Sequence, residues 1–309
     1  MGERRQIKLG LIGFGEVGST LGKGFRDEGL IEIVSYDKFA SNGPFADLIK
    51  RRAREAGVPL VTSPRELADR CDMIVGVTPG KACIESAEAF APHLTPHHTF
   101  VDFASATPKV KRAVGAALQK SGAQIADASI MGTPHADGHR LPILASGPAA
   151  VAFRDLLSPW GLRIEHVPGE LGAASGIKIM RSVIAKGLEA LLVECMLGSR
   201  RYGIDEEVMN SFAKFMDSRP FAEMANFLLV TDAIHSERRG QEARMSVDAL
   251  LEIGIEPTMT RATAERLEWV SALGTKSHFA GVAPERYHEA IDAIEALQAS
   301  TASPKRKIS

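Results

Sequence analysis

The sequence predicts an α/β fold: a doubly wound, parallel sheet followed by an all-α C-terminal domain. Three observations carry this expectation. Short apolar runs alternate with helical segments through the first half of the chain. A glycine-rich turn stands between the first run and the first helix. No strand-like run follows residue 170.

The apolar runs are "IKLGLIG" (7–13), "IEIVSYD" (31–37), "DMIVGVT" (72–78), "TFVDFA" (99–104) and "AQIADAS" (123–129), mostly bounded by Gly, Pro or Asp. Near-continuous apolar strands suit a parallel sheet covered on both faces. "LPILAS" (141–146) and "LRIEHV" (162–167) extend that sheet. In "SPRELADRCD" Ser63 can cap a helix and Pro64 takes its first position. From Leu171 to Tyr202 proline is absent, which allows one helix of roughly 45 Å at the usual rise per residue. Helical stretches follow at "DEEVMNSFAKFM", "PFAEMANFLLVTDAIHSERRGQEARMSVDALLEIG" and "TMTRATAERLEWVSALG". The expected organisation is therefore a sheet domain over 1–168, with Pro168-Gly169 as its border. A helical substrate and dimerisation domain covers 169–297, and a polar, disordered tail covers 298–309.

Composition narrows the function classes. The 309 residues are 45% hydrophobic and 24% charged, with a net charge of −1. There is no basic footprint for nucleic acid. Three cysteines, Cys71, Cys83 and Cys195, are too scattered for a disulfide framework or a zinc site. No apolar run is long enough to span a bilayer, and the first residues lack a signal-peptide core. These features lead to the expectation of a cytoplasmic protein. His93, His97 and His98 stand among prolines and read as a surface turn. "PHADGH" alternates His135, Asp137 and His139, but without the spacing of a metal site. It reads as a polar loop, and no metal is expected.

The turn "GFGEVG" places Gly13, Phe14, Gly15, Glu16, Val17 and Gly18 between strand and helix. In such a turn the first glycine permits the tight bend and the second lets backbone approach a pyrophosphate. The third allows close helix–strand packing, and the helix amides meet the phosphates. Asp37 follows at the end of the second strand, where a carboxylate accepts from an adenosine ribose and repels a 2′-phosphate. That favours NAD. The adjacent Lys38 is suited to a 2′-phosphate, so NADP stays open. The first domain is thus expected to be a Rossmann-type dinucleotide-binding domain.

"GELGAASGIKIMRSVIAKG" (169–187) carries Lys178 among small residues that would let a nicotinamide ring and a substrate come close. Desolvation lowers a lysine pKa, which suits proton exchange near neutrality; from the helix alone, a snorkelling surface lysine is the competing reading. Lys186 lies on a different side of the helix. Arg238 and Arg239, after His235, can grip a carboxylate or form a solvated helix face.

In order along the chain, the glycine turn, "VDFASATP" (101–108), "DASIMGTPHADGHRLPILASG" (127–147) and the lysine helix resemble the β-hydroxyacid dehydrogenases. This is the superfamily of 3-hydroxyisobutyrate dehydrogenase and 6-phosphogluconate dehydrogenase. The resemblance implies that Lys178 is the catalytic acid/base and that Thr78, Pro79 and Ser105 join the cofactor site. It also implies that Met131, Gly132, Thr133 and Ser182 line the substrate pocket, and His235, Arg238 and Arg239 complete the candidate substrate set. Two features depart from the family's pattern. Its Ser-Gly-Gly becomes Met131-Gly132-Thr133, and Ser182 replaces an asparagine four residues after the lysine. The implied activity is hydride transfer between NAD(P) and a carboxylate-bearing hydroxy acid or related alcohol. A homodimer or higher oligomer is expected from the residues themselves, because the helical second domain is rich in Leu, Met and Phe and follows a helix too long for one small domain to bury. Imine reduction and a catalytically silent dinucleotide sensor are the alternatives.

Overall fold

Alternation along the strands builds two cores. Leu9, Leu11, Met73, Val75 and Val101 pack on one side of a central sheet. Ile12, Ile74 and Phe100 pack on the other, because successive strand side chains point to opposite faces. The computed structural model describes residues 5–302. Its strands are β1 (Leu9–Ile12), β2 (Ile33–Tyr36), β3 (Leu60–Val61), β4 (Met73–Gly76), β5 (Thr99–Asp102), β6 (Gln124–Ile130), β7 (Pro142–Ser146) and β8 (Arg163–His166). They form one sheet in the order β3-β2-β1-β4-β5-β6-β7-β8. All neighbours are parallel except β6 and β7, which run antiparallel. An apolar run such as "LPILAS" shows no direction, so this reversal departs from the all-parallel expectation. The two-residue β3 was not foreseen.

The helices of the first half are α1 (Glu16–Asp27), α2 (Ala46–Ala56), α3 (Pro64–Arg70), α4 (Cys83–Phe90), α5 (Pro108–Leu118), α6 (Pro134–Asp137) and α7 (Ala150–Leu157). The α3 cap forms as expected: Ser63 accepts the Glu66 amide, while the Glu66 carboxylate accepts the Thr62 amide. This is a reciprocal cap. His98 is not a surface residue. It is buried, with Nδ1 accepting the Thr95 amide and Nε2 beside the Ala68 carbonyl. The "PHADGH" residues have structural partners: Asp137 pairs with Arg163, and the His139 ring fills the space beside Gly24.

The second half contains α8 (Ala173–Tyr202), α9 (Asp205–Met216), α10 (Phe221–Glu252), α11 (Thr258–Ala272), α12 (Thr275–His278) and α13 (Tyr287–Ala302). The chain divides into compact units at Val183/Ile184, inside α8, and not at Pro168-Gly169. The physical reason is that the first turns of α8 bond to the sheet. Ala174 N–H donates to Ser146 Oγ at 3.0 Å, and Ser175 N–H donates to Asp127 Oδ2 at 2.8 Å. Within the second unit, the Glu194 carboxylate accepts from the Met259 and Thr260 amides that open α11, and Arg244 grips Glu268 with two bonds. Residues 298–302 are helical, continuing α13, so the expected disorder fails there. The rest of that tail lies outside the described residues. Among the described residues no helix is long and apolar enough to cross a membrane.

Candidate active site

The site grows from the carboxyl ends of β1, β4 and β5. Gly13 turns the chain after β1 at φ +91°, a region costly for any residue with a Cβ. A methyl group on Gly18 would lie 2.2 Å from the Gly13 carbonyl oxygen, and one on Gly13 would lie 3.2 Å from the Val77 oxygen. The loops after β1 and β4 therefore touch through bare backbone. Gly80 extends the series, since a Cβ there would meet the Ser105 carbonyl at 2.2 Å. Sequence reading missed Gly80; "VTPGK" held a glycine whose partner lies 25 residues away.

Gly15 is different. Among the described residues nothing stands within 4 Å of a Cβ at that position, and none caps the N-terminus of α1 behind it with a side chain. Open space before uncapped helix amides fits a dinucleotide pyrophosphate. Glu16 and Val17 begin this helix. The Phe14 ring is fully buried in the core and touches Gly22, so Phe14 offers its backbone only. Its amide donates to Asp37 Oδ2 at 2.8 Å, and the Phe39 amide donates to Asp37 Oδ1 at 2.9 Å. Asp37 thus clamps the glycine turn as well as standing at the end of β2. Lys38 is drawn to Glu85 at 3.0 Å, which offsets the charge that made it suited to a 2′-phosphate.

Thr78, half-buried, and Pro79, exposed, continue the β4 loop. From there Gly80 leads to Ser105, and Ser105 leads to Lys178, whose Nζ donates to its Oγ at 3.1 Å. A chain of direct contacts runs from the dinucleotide turn to the lysine. Burial pushes the Lys178 ammonium below the ordinary lysine range, with Lys111 and Arg181 adding to the shift and Asp127 opposing it. Lys186 is exposed.

The small residues of the lysine helix have protein neighbours. A Cβ on Gly172, at φ +103°, would lie 3.0 Å from Pro108 Cα, and one on Gly176 would lie 3.5 Å from the Pro108 ring. These glycines let α8 settle on Pro108, where an open approach for ligand was expected. Ser182 donates to the Lys178 carbonyl. Thr133 caps α6 by accepting the Ala136 amide. Both hydroxyls are thus engaged locally. Gly132 is required, because a Cβ there would meet Asp137 Oδ2 at 2.1 Å. Met131, half-buried, gives its carbonyl to Arg181 Nη2 at 3.2 Å.

Beneath Lys178 lies a set that sequence reading did not single out. Lys111 on α5 is 1% exposed, and its Nζ contacts Asp102 Oδ2 at 2.9 Å and Asp127 Oδ1 at 3.2 Å. Burial pushes the Asp102 carboxyl above its ordinary value, with Lys111 pulling it back. Asp127 also accepts the Ser175 hydroxyl at 2.7 Å. In the second unit, His235 is exposed, Arg238 pairs with Glu242, and Arg239 donates to Thr231 Oγ1. Each arginine already has a partner on α10.

A mostly parallel sheet with a glycine turn at the end of β1 and a carboxylate at the end of β2 defines a Rossmann-type, dinucleotide-binding domain. The NAD binding domain of 6-phosphogluconate dehydrogenase matches residues 8–164. The chain belongs to that family, within the β-hydroxyacid dehydrogenase superfamily of NAD(P)-dependent oxidoreductases. A domain of unknown function, DUF1932, matches residues 200–270. An uncharacterized 28.5 kDa protein of Methanothermus fervidus is 24% identical, over 83% of this chain and 96% of its own. The L-threonate dehydrogenase of Cupriavidus necator is 27% identical, over 66% of each chain. Among solved structures, a reductive aminase from Aspergillus terreus bound to NADPH4, cyclohexanone and allyl amine has a TM-score of 0.70. It is 18% identical, with 93% of this chain and 99% of that one covered.

Proposed function

We propose that this protein transfers hydride between a nicotinamide dinucleotide and a hydroxy acid, with Lys178 as general acid/base. One observation carries the reading: a half-buried amine with a depressed pKa stands 3.1 Å from Ser105, at the end of the contacts leading from the dinucleotide turn. A bound nicotinamide supplies the hydride acceptor or donor. In oxidation the neutral Lys178 amine takes the substrate hydroxyl proton; in reduction the ammonium returns it. Ser105 orients the amine by accepting its hydrogen bond. Arg181, one helical turn on and exposed, keeps donors beyond the one given to Met131 and suits a substrate carboxylate better than the already paired Arg238 and Arg239. The similarity to an L-threonate dehydrogenase supports a polyhydroxy or short-chain hydroxy acid, and Met131 supplies an apolar wall.

The test is turnover with both cofactors on L-threonate, 3-hydroxyisobutyrate and related hydroxy acids, beside cyclic imines. Oxidation of a hydroxy acid is expected. Turnover confined to imines would overturn the substrate class, and tight NADH binding without any turnover would favour a sensor.

The reading includes NAD as the preferred cofactor. Asp37→Ala is expected to weaken NADH about tenfold, the scale of one hydrogen bond to a charged group. It should also narrow the NADH/NADPH ratio by relieving repulsion of the 2′-phosphate. Tighter binding of NADPH than NADH by the wild type, in fluorescence titrations, would contradict this role. The reading also includes a homodimer or higher oligomer. Met180, Val183, Ile184, Val193 and Leu197 on α8 are each more than half exposed, an apolar character typical of obligate interfaces. Light scattering at micromolar concentration should give at least twice the monomer mass; a monomer would contradict it.

A further inference from the structure

The buried charges under Lys178 raise a question of counter-ions. Asp102 ends β5 and Asp127 is its register partner within β6; both have almost no exposure, and two buried carboxylates need compensating charge or hydrogen bonds. Lys178 could provide the charge. A lysine locked onto two buried carboxylates would be a permanent ammonium, unfit to take a proton. The structure solves this with a second lysine. Lys111 Nζ donates to the Asp102 carbonyl at 2.8 Å and to Asp102 Oδ2 at 2.9 Å, and it lies 3.2 Å from Asp127 Oδ1. The remaining positions on these carboxylates are taken by the Ala104 amide on Asp102 and by Ser175 on Asp127, through both its amide and its hydroxyl. Lys178 donates instead to a neutral hydroxyl, that of Ser105.

We propose that Lys111 is a positioning residue for Lys178: by occupying the two buried carboxylates it leaves Lys178 with an uncharged partner and an exchangeable proton. The inference rests on the reading of Lys178 as the proton-transfer group. It assigns to Lys111 a task that neither cofactor nor substrate contact requires. The same network starts the lysine helix, because Asp127 holds the first-turn amide of Ser175 where a negative charge also favours the helix dipole. The charged groups acting on Lys178 are Lys111 of α5, Arg181 of α8 and Asp127 of β6. With Lys111 removed, Arg181 alone would oppose the carboxylates, and Lys178 would become their ion-pair partner.

The test reads the amine directly and needs no substrate. Full-length protein is trace-labelled with acetic anhydride across a pH series, and acetylation of Lys178 is followed by peptide mass spectrometry. Only the neutral amine reacts, so the midpoint reports its proton affinity. In wild-type protein the midpoint should fall below the ordinary lysine value of about 10.4. In Lys111→Met it should rise by at least about one pH unit, which lowers Lys178 labelling near neutral pH by about tenfold. Removing one partner of a buried ionic cluster is strongly destabilising, so the charge-balanced pair Lys111→Met/Asp102→Asn is measured alongside. It removes one cation and one anion, leaves Asp127, and should shift the midpoint in the same direction. An unchanged Lys178 midpoint in a folded variant overturns the inference. Loss of the folded state in both variants overturns it too, by assigning Lys111 to the fold alone. Failure of the catalytic reading is seen separately, as turnover retained in Lys178→Met.

Discussion

Lys178→Met is expected to lower turnover about 10²–10⁴-fold, the usual contribution of a general acid or base, while NADH affinity stays within a few-fold. The loss corresponds to about 3–5 kcal/mol in the transition state. Methionine keeps most of the apolar stem but cannot carry the proton. The dinucleotide turn, Asp37 and the Val77–Gly80 loop are untouched, so binding and chemistry should separate. Lys178→Arg should not restore turnover, because guanidinium stays protonated and cannot act as a base. Lys186→Met, at an exposed position, should be nearly silent. Steady-state rates beside NADH fluorescence titration check all three. If Lys178 were a snorkelling surface residue, the methionine variant would keep its activity.

Gly18→Ala should abolish dinucleotide binding and destabilise the first unit. The new methyl would stand 2.2 Å from the Gly13 carbonyl oxygen and 3.1 Å from Val77 Cγ2, and the nearer contact is backbone, with no flexible side chain to yield. Overpacking of this kind costs about 1–3 kcal/mol or more, and it displaces the turn that meets the pyrophosphate. A loss of at least about 100-fold in NADH affinity, with a lower Tm, is expected; 100-fold corresponds to about 2.7 kcal/mol. Gly15→Ala is the informative companion. Its Cβ meets no atom of the described residues within 4 Å, so the Tm should hold while the methyl intrudes where the phosphates lie. Weaker NADH binding with unchanged Tm in Gly15→Ala separates the two glycines. Unchanged NADH affinity in both would contradict this placement of the cofactor.

The parts of this site that could be read from sequence are those made by neighbours in sequence. Gly13, Gly15 and Gly18 declare a strand–turn–helix by their spacing, and the Gly18–Gly13 contact is made within five residues; the contact of Gly13 with Val77 is not local and could not be read. Asp37 could be placed because the second strand of such a unit has a fixed length. Helices α8 and α9 were legible from periodicity and the lack of proline. The Lys111–Asp102–Asp127 cluster was not, since three charges spread over 26 positions give no periodic signal and take meaning only when β5, β6 and α5 converge. The border within α8 was hidden for a similar reason. Pro168-Gly169 looks like a hinge, but Ser175 and Asp127 tie the following helix to the sheet. The reversal of β7 was invisible because an apolar strand reads the same in either direction. Gly172 was legible as a small residue and misread in purpose, since its neighbour Pro108 lies 64 residues earlier.

The central claim is that Lys178 exchanges the substrate proton. The pH dependence of kcat for hydroxy-acid oxidation, measured on wild type and Lys178→Met, tests it most directly. Oxidation needs the neutral amine, so the wild-type rate should rise with pH as Lys178 loses its proton. That limb should lie below the ordinary lysine value of about 10.4, because burial lowers the proton affinity of this amine. Lys178→Met should leave a low residual rate without the limb. The same rising limb and the same rates in Lys178→Met as in wild type would contradict the assignment.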